Sequence, residues 1–312
     1  MPVPLSQPAA LLAACRPRQW PKNLLLAAPT LAGHAGGDAS RWLAVGLAAA
    51  AFTAVASAVY LTNDLQDLEP DRLHPTKRAR PLASGRLRPG VAKAAVPGLL
   101  LLAAGLTAAL FFLPPPAAEA PGASAPSPGG FAAVLLGYAG LALAYSLRLK
   151  REPVVDVACL CGFYLARLLA GGLVVGLFPS PWLLGSAGAV FLTLALGKRY
   201  AELLTLRGER VGVPGRGWEQ ADAPLVLAMG VASAWSAGVV LTLYLSSDAV
   251  RALYAHPQRL AVVVGLVLFG LNRLWFLAHR GRIHGDPLTF LARDPVTWAL
   301  GLATLAAAWA AR

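Results

Sequence analysis

Uncharged apolar runs separated by short polar clusters repeat from one end of the chain to the other. An α-helix rises 1.5 Å per residue, so about 20 apolar residues cross a hydrocarbon core of roughly 30 Å. Nine such segments can be drawn, at roughly 20–36, 42–62, 91–113, 131–147, 154–174, 182–197, 223–245, 261–278 and 296–311. Pro21 suits the first turn of the first segment, where no N–H is needed. Pro29, Gly33, His34, Gly36 and Gly37 interrupt the rest of it. Upstream, apolar Ala9–Ala14 runs into basic Arg16-Pro17-Arg18-Gln19-Trp20-Pro21-Lys22. Residues 1–19 therefore read as an interfacial helix rather than a secretory signal. The Pro-, Ala- and Gly-rich stretch 114–130 reads as a flexible extracytoplasmic connector. The expected architecture is all-α: one polytopic transmembrane domain over 1–312 with nine spans.

Composition sharpens that picture. Hydrophobic residues make up 57 % and charged residues 13 %, against roughly a quarter charged in a soluble domain. A disordered chain and a soluble enzyme are both excluded. Three cysteines exclude a disulfide scaffold.

Charge sets the orientation. The net charge is +12, and 22 of the 27 Lys and Arg residues fall at one set of span ends against four at the other. The basic side is the cytoplasmic side of the inner membrane, with the N-terminus inside and the C-terminus outside. The basic balance thus serves topology, and no nucleic-acid partner is expected.

The richest chemistry lies in Asn63-Asp64-Leu65-Gln66-Asp67-Leu68-Glu69-Pro70-Asp71, where the second span meets the cytoplasm. Asp64, Asp67 and Asp71 share one helical face, with Glu69 nearly opposite. Pro70 is expected to end the helix near Glu69. Carboxylates facing one way repel one another unless a cation sits among them. Mg²⁺ prefers oxygen ligands and is held by one or two carboxylates plus substrate phosphates, and Asn63 can add a carbonyl oxygen.

Directly after the acids come Lys77, Arg78 and Arg80, suited to phosphate oxygens. Acids for a metal beside bases for phosphate describe a site for a phosphorylated substrate. Lys198 and Glu202, four apart after the sixth span, form a plain helix ion pair on the simplest reading. His284 and Asp286 lie in a Gly/Pro turn and either face the site or cap helices. Asp156 and Arg167, eleven apart in the fifth span, share a face that must turn inward from lipid.

These residues resemble the UbiA-type intramembrane prenyltransferase superfamily. The acidic motif Asn-Asp-x-x-Asp-x-x-x-Asp is here Asn63, Asp64, Asp67 and Asp71. Arg16-Pro-Arg-Gln-Trp-Pro-Lys-Asn23, Asp71-Arg-Leu-His-Pro-Thr-Lys-Arg-Ala-Arg-Pro81, Lys198-Arg-Tyr-Ala-Glu202 and His284-Gly-Asp-Pro287 look most like the decaprenyl-phosphate phosphoribosyltransferases within it. The resemblance implies nine helices around a central cavity open to the cytoplasm. It implies 5-phosphoribosyl diphosphate as donor and a polyprenyl phosphate as acceptor. Asp64, Asp67 and Asp71, with Asn63, would hold Mg²⁺ against the diphosphate. Lys77, Arg78 and Arg80 would take diphosphate or 5-phosphate oxygens, and Arg18 and Lys22 the lipid phosphate. Tyr145, Lys150, Lys198 and Glu202 are further candidates at the substrate.

Aromatic prenyltransferases of the superfamily carry a second aspartate-rich motif after the sixth span. Here that place holds Lys198, Arg199 and Glu202, which suits another phosphate better than a second metal. The alternatives are prenyl transfer to an aromatic ring and a lipid or ion transporter. The first needs that second acidic site; the second needs charged or broken helices deep in the membrane on several spans.

Overall fold

Proline and short polar caps decide where the helices begin. Pro89, Pro181 and Pro295 open α-helices, and Asp38, Ser180 and Asp294 accept first-turn N–H bonds from Ser40, Leu183 and Thr297. The computed structural model describes residues 6–74, 76–116, 122–206, 208, 211–283 and 287–312. Its helices are α1 (Gln7–Ala14), α2 (Ala28–Ala32), α3 (Ala39–Gln66), α4 (Leu68–Leu73), α5 (Pro89–Ala109), α6 (Pro128–Leu147), α7 (Pro153–Val175), α8 (Pro181–Leu203), α9 (Ala223–Leu245), α10 (Asp248–Arg251), α11 (Ala261–His279), α12 (Pro287–Leu291) and α13 (Pro295–Ala310). Among the described residues, seven helical segments are long and apolar enough to cross a membrane. α13 is apolar but has only 16 residues.

The expected first span takes another form. Pro17–Ala27 is a 3₁₀-helix of 11 residues, followed by the five-residue α2. Pro21 inside it and Pro29 just after each lack an N–H and crowd the preceding turn, so a continuous α-ladder cannot form. A 3₁₀-helix rises about 2.0 Å per residue, so this segment covers more depth than its length suggests.

The chain divides into two compact units. In the first, Met1–Ser146 with Ala166–Pro179, α3 is the core and packs along α5 and the 3₁₀ segment. Phe52 on α3 meets Phe131 and Tyr138 of α6, with centroids 5.9 and 5.2 Å away. Arg167 is buried here, donating from Nε to Asn23 Oδ1 (2.8 Å) and from Nη2 to Tyr138 OH (3.1 Å). Asn23 in turn donates to Thr53 Oγ1. Two described residues of the expected connector are tied to a helix. Ser124 and Ser127 donate backbone N–H bonds to Gly176 and Leu173 at the end of α7, both at 2.8 Å.

Gly171 lets α7 approach the 3₁₀ segment backbone to backbone. A β-carbon there would overlap the carbonyl of Leu26, and neither main chain can swing aside. Gly171→Ala is therefore expected to cost about 1–3 kcal/mol, read as a lower thermal midpoint in detergent.

In the second unit, Leu147–Leu165 with Ser180–Arg312, α8 packs on α9, α9 on α11 and α11 on α13. Thr193 donates to the Gly230 carbonyl and accepts from Trp275 Nε1. Arg273 binds Asp294 through two bonds, of 2.7 and 3.0 Å. That pair, helped by Thr297, holds the Asp294 carboxyl below the usual carboxylate range, and it fixes the start of α13.

Candidate active site

The acidic run sits where α3 gives way to α4. Pro70 falls in the first turn of α4, not at a helix end. Its ring would clash with the carbonyl four residues back, so the break moves upstream to Asp67, whose φ and ψ are −90° and 13°. The turn stays bonded: Asp67 N–H donates to Asn63 O at 2.9 Å and Asp71 N–H to Asp67 O at 2.8 Å. Asp64 and Asp71 are each only 2 % exposed. Glu69 points away, onto exposed Arg72.

Guanidinium groups stand between the buried acids. Arg80 Nη1 donates to Asp64 Oδ1 at 3.1 Å and to Asp71 Oδ2 at 2.6 Å. Arg16 Nη2 donates to Asp64 Oδ1 at 2.6 Å, and Lys77 Nζ lies 3.8 Å from Asp71 Oδ1. Among the described residues, no three His, Cys, Asp or Glu side chains stand together as a metal-ligating group. The sequence leads one to expect three converging carboxylates; the structure joins two of them through Arg80, with Asp67 at the bend. Asn63 Oδ1 is buried with no hydrogen-bond partner. An oxygen-only donor set of two buried carboxylates plus one unused carbonyl suits Mg²⁺, which takes its remaining ligands from phosphate and water.

The other expected residues scatter. Arg18 and Arg78 are exposed, and Lys22, Lys77 and Arg80 are half-buried. Tyr145, Lys150 and Lys198 are half-buried, Tyr145 and Lys198 in the last turns of α6 and α8 and Lys150 just after α6. His284 and Asp286 lie outside the described residues.

In the second unit, Glu202 pairs with Arg199, three residues before it. Arg199 is fully buried and also grips Asp156, itself fully buried, through Nε and Nη2. Arg216 Nη1 and Trp218 Nε1 each donate to the same carboxylate at 2.8 Å. Asp156 thus gathers four N–H donors from three side chains, as a charge placed in a span must. Arg216 and Trp218 were not singled out by the sequence; Arg16 was named only as part of a motif, and Arg199 as a phosphate candidate, whereas the structure pairs them with Asp64 and Asp156. The available signal was Asp156 itself, a lone acid inside a span that demands a cation.

The sequence model described as the UbiA prenyltransferase family matches residues 24–288. The protein named uncharacterized protein y4nM from Sinorhizobium fredii is 36 % identical over 292 residues, covering 93 % of this chain and 53 % of its own length. The decaprenyl-phosphate phosphoribosyltransferase of Corynebacterium glutamicum is 39 % identical over 198 residues, which is 62 % of this chain and 54 % of that protein. The matched region is thus about half the length of these relatives. A solved structure, a UbiA homolog from Archaeoglobus fulgidus bound to GPP and Mg²⁺, aligns with a TM-score of 0.62 and 18 % identity, covering 95 % of this chain and 99 % of that one. At that identity the likeness is one of fold.

Proposed function

The chain belongs to the UbiA prenyltransferase family, and from that premise we propose that it is a Mg²⁺-dependent membrane transferase. It moves a 5-phosphoribosyl group from 5-phosphoribosyl diphosphate to a polyprenyl phosphate and releases pyrophosphate. The observation that carries this reading is the buried acid–base cluster: Asp64 and Asp71 with Arg16, Arg80 and Lys77 packed around them. A site that recognises a metal-bound diphosphate needs both signs of charge within reach. The Corynebacterium relative's name supports the donor and acceptor. The Mg²⁺ and prenyl diphosphate bound by the Archaeoglobus homolog support a metal-dependent diphosphate chemistry.

Asp64, Asp67 and Asp71, with Asn63, would hold the Mg²⁺, which supplies neutralisation of charge on the leaving diphosphate. Arg80 and Lys77 turn from the acids to diphosphate oxygens as the donor arrives, because a guanidinium binds phosphate as readily as carboxylate. The acceptor phosphate is ionised near neutral pH, so no strong general base is required. One of its oxygens forms a bond to the anomeric carbon while the bond from that carbon to the diphosphate oxygen breaks. A single displacement inverts that centre. Arg18, Arg78 and Lys22 contribute positive potential on the approach, and Tyr145 is a further candidate at the substrate. The site faces the cytoplasm of a nine-span protein in the inner membrane.

The test is purified protein in nanodiscs with radiolabelled 5-phosphoribosyl diphosphate, polyprenyl phosphate and Mg²⁺. Label is expected in the lipid phase, and chelation of the metal is expected to abolish it. Product only from prenyl diphosphate and an aromatic acceptor overturns the reading in favour of aromatic prenylation. Vesicle transport without product overturns it in favour of a carrier.

A further inference from the structure

An apolar groove of ≈ 570 Å³ lies within the first unit, bounded by α1, the 3₁₀ segment, α3 and α5. Cys15, Trp20, Thr53, Ser57, Leu99 and Leu102 are among the residues that form its walls. Trp20 is 37 % exposed and Leu102 53 % exposed, so the groove is open along its length. A second crevice of ≈ 440 Å³ shares Trp20, Ala50 and Thr53 with it and extends past Asn23. An apolar groove on a membrane protein is unremarkable by itself. What distinguishes this one is where it ends.

On α3 the residues Ala50, Thr53, Ser57, Tyr60 and Asp64 are spaced three, four, three and four apart. That spacing places them on one helical stripe about 21 Å long. The first three line the groove and the last is the buried acid. Arg16 stands at the junction. The preceding carbonyl, of Cys15, accepts from Trp20 Nε1 (3.2 Å) and Ser57 Oγ (3.4 Å), which fastens the chain to α3 at the end of the groove. Arg16 itself adopts a left-handed backbone, φ 54° and ψ 64°, a conformation that costs energy in any residue but glycine. That geometry carries its guanidinium over the Tyr60 ring, 4.5 Å from the centroid, and onto Asp64. The Arg16 side chain remains 33 % exposed, so N–H groups are available to a second oxygen ligand.

We propose that this groove holds the isoprenoid chain of the acceptor polyprenyl phosphate and that Arg16 takes its phosphate. A ligand with one long apolar tail and one compact dianionic head matches an apolar trough that ends at a guanidinium. The inference rests on the phosphoribosyl-transfer reading and adds to it the acceptor's location. By bridging the lipid phosphate and Asp64, Arg16 offsets the repulsion between the two anions. It also sets the nucleophilic oxygen beside the acid assigned to the donor's metal.

The experiment uses the full chain in nanodiscs, without donor or metal, and a polyprenyl phosphate carrying a diazirine in its chain. Photolabelling is expected on Trp20 and the Leu99–Leu106 stretch. Arg16→Met is expected to weaken capture of the phosphate roughly 10–100-fold while capture of the uncharged polyprenol stays unchanged, and Arg16→Lys is expected to restore part of it. Leu102→Trp fills the trough from its lipid side. It is expected to weaken long-chain capture about tenfold without affecting a two-isoprene phosphate, and the thermal midpoint checks the fold of both variants. Labelling elsewhere, labelling indifferent to Arg16→Met and Leu102→Trp, or equal displacement by ordinary phospholipid overturns the assignment. Arg16-dependent labelling in a protein that transfers no phosphoribosyl group upholds the groove and overturns the reaction. Transfer that proceeds with groove-independent labelling does the reverse.

Discussion

Asp67→Asn is expected to lower the transfer rate by about 10²–10³ while leaving the thermal midpoint within a degree or two of the parent. The two halves of that expectation come from different features of the bend between α3 and α4. Asp67 is tied into the fold by its main chain, which donates to Asn63 and accepts from Asp71; asparagine keeps both bonds and the side-chain shape. Its carboxylate makes no hydrogen bond or ion pair with another described residue, so neutralising it strands no partner. Asp64 and Asp71 behave differently. Each is buried against cations, so removing either charge leaves guanidinium groups uncompensated and confounds lost chemistry with lost stability. Asp67 is therefore the cleanest probe of the metal assignment. Initial rates at saturating donor, with melting curves on the same preparation, decide it. Near-normal turnover would remove Asp67 from the metal's ligands.

What could be read from the sequence follows what each signal depends on. Helices α3, α5 to α9 and α11 were legible because a span is defined by an uninterrupted apolar run, a local property. Their observed ends fall within four residues of the expected ones, as at α9, Ala223–Leu245, except that α8 runs six residues further, to Leu203. The first span was expected at 20–36 with a basic lead-in before it, and the 3₁₀ form of Pro17–Ala27 was not legible, because hydropathy does not report hydrogen-bond register. The acidic run was legible because its members are neighbours in sequence. Of its counter-charges, Lys77 and Arg80 were in view as nearby bases, but Arg16 reaches Asp64 across 48 positions, and only the fold brings them together. The choice between Lys198 and Arg199 shows the same limit. Successive helical residues differ by about 100° in direction, and which one turned inward depended on Asp156 of α7.

Replacing Asp156 with alanine is expected to cost about 3–5 kcal/mol. Its carboxylate is fully buried and answers two guanidinium groups and an indole N–H. Without it, Arg199 loses its fully buried counter-ion and leans on Glu202, which is partly exposed and so the weaker one. Arg199→Met is expected to be comparably severe, because it takes two N–H donors and a buried positive charge away from Asp156. The Asp156→Leu, Arg199→Met double variant removes both charges and fills the space with apolar atoms. It should recover much of what either single change loses, since an apolar pair of similar volume is often no less stable than a buried ion pair. The comparison separates two explanations for the cluster. If its worth lay in attraction alone, the two losses would add. If it lies chiefly in compensating charges that cannot be left alone in a low-dielectric interior, the double variant is far more stable than the sum. Thermal midpoints of the parent, Asp156→Leu, Arg199→Met and the double variant in one detergent give the coupling. Protease cleavage between Val211 and Glu219 reports separately whether Arg216 and Trp218, once released, still hold their loop. Additive destabilisation would show that Asp156 and Arg199 act on stability through other partners.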